Sequence, residues 1–243
     1  MFSSLFSSSV TSLWIGLAYI AGGAAMCVGL VALIIKVFPV KAELSRKLLH
    51  FSVIAVLSIW LYAFENWLIA ELTMAVFLAV FFIALLVIEK TRLFRFLSRV
   101  ASERTPGELR KSLCVMCIMF MILVAVCWGY LDERILALAS IFAWGPGDGA
   151  AALIGKRFGR IKIGPGRKKS LEGSLAMLAV SFLCVLIILL AGRVFPFGSA
   201  LLVSLATGGV TAFMELMITD GSDTIYCPMA AMTVLCLAHV VYL

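Results

Sequence analysis

Long apolar runs alternate with short polar ones along almost the whole chain. They fall at about 12–35, 48–64, 67–88, 113–130, 134–154, 171–191, 197–218 and 225–243. Each is close to the roughly 20 residues that an α-helix needs to cross a hydrocarbon core. The pattern predicts an all-α fold, a polytopic transmembrane helix bundle of seven to eight spans. With no internal repeat and no linker rich in Pro, Gly or Ser, residues 1–243 read as one integral membrane domain. Between the third and fourth runs, Arg92, Arg95 and Arg99 recur at helical spacing beside Leu93, Phe94, Phe96, Leu97 and Val100. That predicts a short amphipathic helix on the membrane surface. The first run follows Ser3, Ser4, Ser7, Ser8 and Ser9 without a basic leader, so it reads as a true span and not a signal peptide. Its Gly16, Gly22, Gly23 and Gly29 would let other helices approach closely.

Composition sharpens this. Of 243 residues 63% are apolar and 14% charged, against about half and a quarter in soluble domains. A mean hydropathy of +1.13 excludes a soluble globular domain and a disordered chain. Little chain is left outside the spans, so chemistry must sit in short loops or at helix ends.

The net charge of +7 does not point to nucleic acid, because its distribution explains it. Lys36, Lys41, Arg46 and Lys47 occupy one loop. Lys90, Arg92, Arg95, Arg99, Arg104, Arg110 and Lys111 occupy a second, and Lys156, Arg157, Arg160, Lys162, Arg167, Lys168 and Lys169 a third. The opposite side keeps Arg134 and Arg193. The positive-inside rule then predicts these three loops in the cytoplasm and the N-terminus outside. Trp14, Trp60, Trp67, Trp128 and Trp144 fall mostly near predicted span ends, as interfacial belts do. The seven cysteines are scattered. Cys114 and Cys117 form a C-x-x-C in an apolar run without partners, so they read as small buried hydrophobes. His239, in the last span, reads as structural.

Four polar clusters remain, all predicted at the cytoplasmic face. Arg46-Lys47-Leu48-Leu49-His50 opens the second span, and Arg46 and His50 share a helix face. They are either a basic anchor or a phosphate-facing pair. Gly145-Pro146-Gly147-Asp148-Gly149 sets a carboxylate in an apolar, glycine-dense span. Pro146 predicts a break or kink just before Asp148, and an acid at that depth should hold a metal, a proton or a cation. Gly155-Lys156-Arg157-Phe158-Gly159-Arg160 and Gly164 to Ser174 form a basic, glycine-rich loop. Ser170 would cap the next helix, whose N-terminus is a natural phosphate site. This is not a P-loop, because Lys168 stands where that pattern needs Gly. Glu215, Asp220 and Asp223 place acids where the other inner loops are basic. They suit ion pairing or, with Asp148, oxygen ligation of Mg²⁺.

These residues resemble the polyprenol kinase family, which includes dolichol kinase, phytol kinase and the CTP-dependent diacylglycerol kinase. The resemblance rests on Gly147-Asp148-Gly149-Ala150-Ala151, Gly155-Lys156-Arg157-Phe158-Gly159 and Lys169-Ser170-Leu171-Glu172-Gly173-Ser174. Arg46-Lys47 with His50 is similar to the family's Arg-Lys-x-x-His element. Glu215 and Asp223 with Pro228 are similar to its late elements, although Thr224 stands where the family has Asn. Phosphatidate cytidylyltransferases are related, but their His-Gly-Gly element is missing here.

The resemblance implies a lipid-alcohol kinase that moves the γ-phosphate of a nucleotide, CTP in this family, to an isoprenoid alcohol such as phytol or a polyprenol, or to diacylglycerol. It implies Asp148 as Mg²⁺ ligand or base, and Lys169 as its catalytic companion. Arg46, Lys156, Arg157, Gly159, Lys169, Ser170, Glu172 and Gly173 would hold the nucleotide, and Asp148, Glu215 and Asp223 the Mg²⁺, with His50 nearby. The alternatives are a CDP-lipid synthase and a non-enzymatic transporter or scaffold, the last favoured by a broken span. The partners expected are a nucleotide, a membrane lipid alcohol and the bilayer, with no nucleic acid.

Overall fold

The computed structural model describes residues 2–38, 42–103, 105, 107–218 and 221–242. Lys41, Arg104 and Asp220 lie outside the described residues. The described chain is helical almost throughout: α1 (Phe2–Val37), α2 (Ala42–Tyr62), α3 (Trp67–Ile88), α4 (Arg92–Val100), α5 (Glu108–Leu123), α6 (Arg134–Phe158), α7 (Leu171–Gly192), α8 (Phe197–Met217) and α9 (Asp223–Tyr242). A π-helical stretch, Val124–Tyr130, extends α5. Two short strands, β1 (Lys162–Ile163) and β2 (Lys169–Ser170), pair antiparallel between α6 and α7. Among the described residues eight helices are long and apolar enough to cross a membrane. The protein is an all-α, multi-pass membrane protein, and α4 is the short helix that the arginine spacing predicts.

The chain forms two compact units, Met1–Met121 and Ile122–Leu243. In the first, Trp60 packs between Phe64 and Phe120, with ring centroids 5.3 and 5.4 Å away. Asn66 caps α3 by accepting from the Leu68 N–H at 2.8 Å. Thr91 caps α4 in the same way. The Ser45 hydroxyl donates to the Val100 carbonyl at 2.9 Å and ties α2 to the end of α4. Arg110 forms a two-armed ion pair with Glu89, both arms 3.0 Å long.

The second unit is built around α6, 61% of whose span window is buried. Its fullest packing is against α7. Two sequence expectations are corrected here. First, of the break or kink expected at Pro146, the break is absent: α6 is one helix from Arg134 to Phe158 with Pro146 inside it. A proline removes one backbone bond, here the one that the Phe142 carbonyl would accept. One residue on, Ser181 of α7 donates to the Ala143 carbonyl and ties α7 to the same turn. The transporter reading loses the broken helix it rested on. Second, the tryptophans do not form interfacial belts as a group. Trp60 and Trp144 are fully buried, and Trp128 is buried beneath the Arg134 guanidinium, 3.9 Å from its ring centroid. Indole bodies here fill helix crossings. The seven cysteines are free thiols, including Cys127 and Cys236 with sulfurs 3.9 Å apart. His239 packs edge-on against Phe195.

Candidate active site

The residues between Asp148 and Glu215 form one site because α6 and α7 cross at very short range. A β-carbon on Gly173 would lie 2.9 Å from the Ala151 carbonyl oxygen. Only glycine lets the start of α7 rest on the α6 backbone there. Between the two helices the chain turns back in the β1–β2 hairpin. Gly164 has φ +75°, and a side chain on it would also strike Leu216. Its glycine is thus required both by the turn and by the docking of the hairpin on the end of α8.

Ser170 is the N-cap of α7, as expected, and accepts from the Gly173 N–H at 3.2 Å. The Leu171 N–H donates to the Ile161 carbonyl at 2.9 Å. Glu172 reaches back, and its Oε1 accepts from the Arg160 and Ile161 N–H groups at 3.0 and 3.2 Å. The Gly173 amide, expected to meet a phosphate, is therefore spent within the protein, as is that of Leu171. Glu172 fastens the base of the hairpin.

Lysines remain as the source of positive charge. A cavity of about 420 Å³ is lined by Asp148, Ala151, Ala152, Gly155, Lys156 and Gly159 from α6 and its C-cap. Lys162, Lys168, Lys169 and Ser170 come from the hairpin, Gly173 and Ser174 from α7, and Glu215 from α8. That volume lies in the range of about 300–1,000 Å³ typical of small-molecule sites. The charges are graded. Lys156, Lys162 and Lys168 are exposed, Asp148 and Lys169 half-buried, and Glu215 buried. Asp148 lies eleven residues before Gly159 in α6, roughly 16 Å along the axis at about 1.5 Å per residue. The cavity thus joins a basic rim to a carboxylate inside a membrane helix.

Lys169 is held at the end of α8. Its Nζ donates to the Glu215 backbone carbonyl and pairs with Glu215 Oε1 at 2.5 Å. The last carbonyls of α8 lack helical partners and carry the negative end of its dipole, so a lysine there acts as a C-terminal cap. Asp148 and Asp223 both lie within electrostatic reach of Glu215. Among the described residues no three His, Cys, Asp or Glu side chains assemble as a ready metal cluster. Asp148, Glu215 and Asp223 therefore do not form a closed three-carboxylate site.

The structure thus gathers Asp148, Lys156, Gly159, Lys169, Ser170, Gly173 and Glu215 at one cavity. It does not place Arg157, Glu172 or Asp223 on the wall; the Arg157 guanidinium lies 5.3 Å over the Phe158 ring instead. Arg46 and His50 sit half-buried on α2 in the first unit. Sequence reasoning missed Lys162, Lys168 and Ser174 as cavity residues. The hairpin register, with Lys162 opposite Ser170, is what brings the two lysines in. The first unit has a cavity of the same volume, lined by Glu89, Phe94, Ser98, Arg99, Glu103, Thr105 and Gly107. Glu89 there is committed to Arg110, and Glu103 accepts from the Leu109 N–H.

Fold and site together define a class: a multi-pass helical membrane protein with a lysine-rimmed, carboxylate-bearing cavity at the end of its spans. The probable phytol kinase 1 of the chloroplast of Glycine max is 34% identical over 84 residues, which are 35% of this chain. The match spans 27% of that relative's length. No family model matches the chain, and no solved structure matches it.

Proposed function

We propose that the protein is a lipid-alcohol kinase, transferring the γ-phosphate of a nucleotide, CTP by the family resemblance, to an isoprenoid alcohol such as phytol or a polyprenol, or to diacylglycerol. The observation that carries this reading is the graded cavity. Exposed lysines suit the phosphates of a water-borne donor, and a carboxylate within a membrane helix suits a lipid hydroxyl that arrives from the bilayer. Phosphoryl transfer depends mostly on positioning and charge stabilisation, which such a site supplies. The similarity to a phytol kinase supports the same class. The basic excess of the loop between α6 and α7 supports a cytoplasmic site with the N-terminus outside.

In this account the alcohol oxygen attacks the γ-phosphorus, forming the new O–P bond as the bond to the leaving nucleoside diphosphate breaks. An Asp148 oxygen accepts the alcohol proton. Lys156, Lys162 and Lys168 hold the phosphates. Lys169 fixes the hairpin on α8, and so sets where the other lysines stand. The donor set fits Mg²⁺, which takes oxygen ligands and commonly uses one or two carboxylates with substrate phosphates for the rest. Asp148 and Glu215 would hold the ion, which supplies charge neutralisation on the phosphates when bound. Asp223 is near enough to act on this pair through its charge.

The test is label transfer by purified protein with Mg²⁺, using CTP or ATP labelled in the γ-phosphate or in the nucleoside, and phytol, polyprenol, diacylglycerol or phosphatidate as acceptor. Appearance of γ label in an alcohol is the expected result. Nucleoside label in lipid would replace the kinase with a CDP-lipid synthase. No transfer with any pair would overturn the enzymatic reading.

A further inference from the structure

Three serines of the α7 start and first half recur at helical spacing, Ser170, Ser174 and Ser181, and Ser170 and Ser181 face α6. Two of them are spent on the fold. Ser170 Oγ caps the Gly173 N–H, and Ser181 Oγ bonds the Ala143 carbonyl. Ser174 does neither. Its Oγ is shielded from solvent, has no hydrogen-bond partner, and belongs to a residue on the cavity wall. A buried hydroxyl without a partner is costly, and a protein that keeps one beside a cavity has a bond in reserve for what enters it.

The chemistry of the entering group separates the two substrates. Phosphates are anionic and meet the lysines of the rim. Ser174 is neutral and lies one turn further along α7 than Ser170, about 6 Å at 1.5 Å per residue. A hydroxyl both donates and accepts, which matches an alcohol. An attacking alcohol oxygen gives its proton to Asp148 and points one lone pair at phosphorus. Its other lone pair is left to accept a bond, and a neutral donor there orients the nucleophile with less loss of reactivity than a cation would cause. We infer that Ser174 is the contact that binds and orients the acceptor hydroxyl, an inference that rests on the kinase reading.

The test uses the full chain in lipid nanodiscs, with γ-labelled nucleotide and phytol or diacylglycerol, whichever the wild type accepts. Ser174→Ala should raise KM for the alcohol, or lower kcat/KM for it, by about tenfold, with the nucleotide KM within twofold of wild type. Ser174→Cys keeps the volume but is a weak donor, so it should behave like Ala even if Ala perturbs packing. Ser174→Thr keeps the hydroxyl and should stay within about threefold of wild type. Wild-type kinetics in the Ala or Cys variant, an equal rise in nucleotide KM, or a Thr variant as impaired as Ala would each overturn the inference. A wild type that transfers no label at all defeats the kinase reading, and this inference falls with it.

Discussion

α3 of the first unit and α6 of the second are both long enough to cross a membrane, yet they are built on opposite principles. α3 has a mean hydropathy of 2.7 and only 22% of its window buried, whereas α6 has 1.2 and 61%. The more apolar helix is the more exposed one. In water that would be an error of design. In lipid it is the expected order, because apolar side chains gain nothing by turning inward, while Gly, Ser and ionisable residues must face protein. The helix that looks least like a span is the one that carries the site.

The largest effect is expected at Asp148. Asp148→Asn should lower turnover by about 10²–10⁴-fold, the usual worth of a positioned general base, while insertion and thermal stability stay unchanged. Label-transfer rates beside melting curves in detergent would check both halves. Next in size is a contrast of ion pairs. Lys169→Met leaves the Glu215 carboxylate, 7% exposed, without its charge partner. Removing one member of a buried pair costs about 3–5 kcal/mol, and adding Glu215→Gln should restore most of it. Unfolding midpoints of the single and double variants are the readout.

Glycines give the third contrast. Gly173→Ala pushes a methyl towards the Ala151 carbonyl and should cost about 1–3 kcal/mol as overpacking. Gly22→Ala and Gly29→Ala, on α1 with nothing within 4 Å of the added carbon, should leave melting unchanged. The smallest effect belongs to Glu89→Gln. Its pair with Arg110 has the carboxylate side chain 46% exposed, and such pairs are worth about 0–1 kcal/mol.

Most of the fold was legible because a span announces itself by length alone. All eight apolar runs became helices, and the arginine spacing of 92–99 gave α4. What failed was reading single residues without their neighbours. Pro146 removes one helical donor, but the packing of α7 on that turn, where Ser181 holds the Ala143 carbonyl 38 residues away, is invisible to local pattern. Tryptophan near a span end says nothing about which way it faces, and Trp60 turned into the core of the first unit. At the site, the cap at Ser170 follows from its place before an apolar run. The use of Glu172 on the hairpin amides does not, because it depends on the chain folding back at Gly164. Lys162 and Lys168 were hidden for the same reason: in the sequence they are two bases among seven, and only the β1–β2 register brings them to Asp148's cavity.

In the proposed kinase the nucleotide phosphates meet the cavity of the second unit. A photoreactive CTP or ATP analogue cross-linked to the full protein, with the labelled peptides mapped by mass spectrometry, tests it most directly. Label is expected within residues 156–174, competed by unmodified nucleotide and weakened by Lys168→Gln. Competed label on the Arg99–Gly107 segment of the first unit, with none on the hairpin, would contradict it.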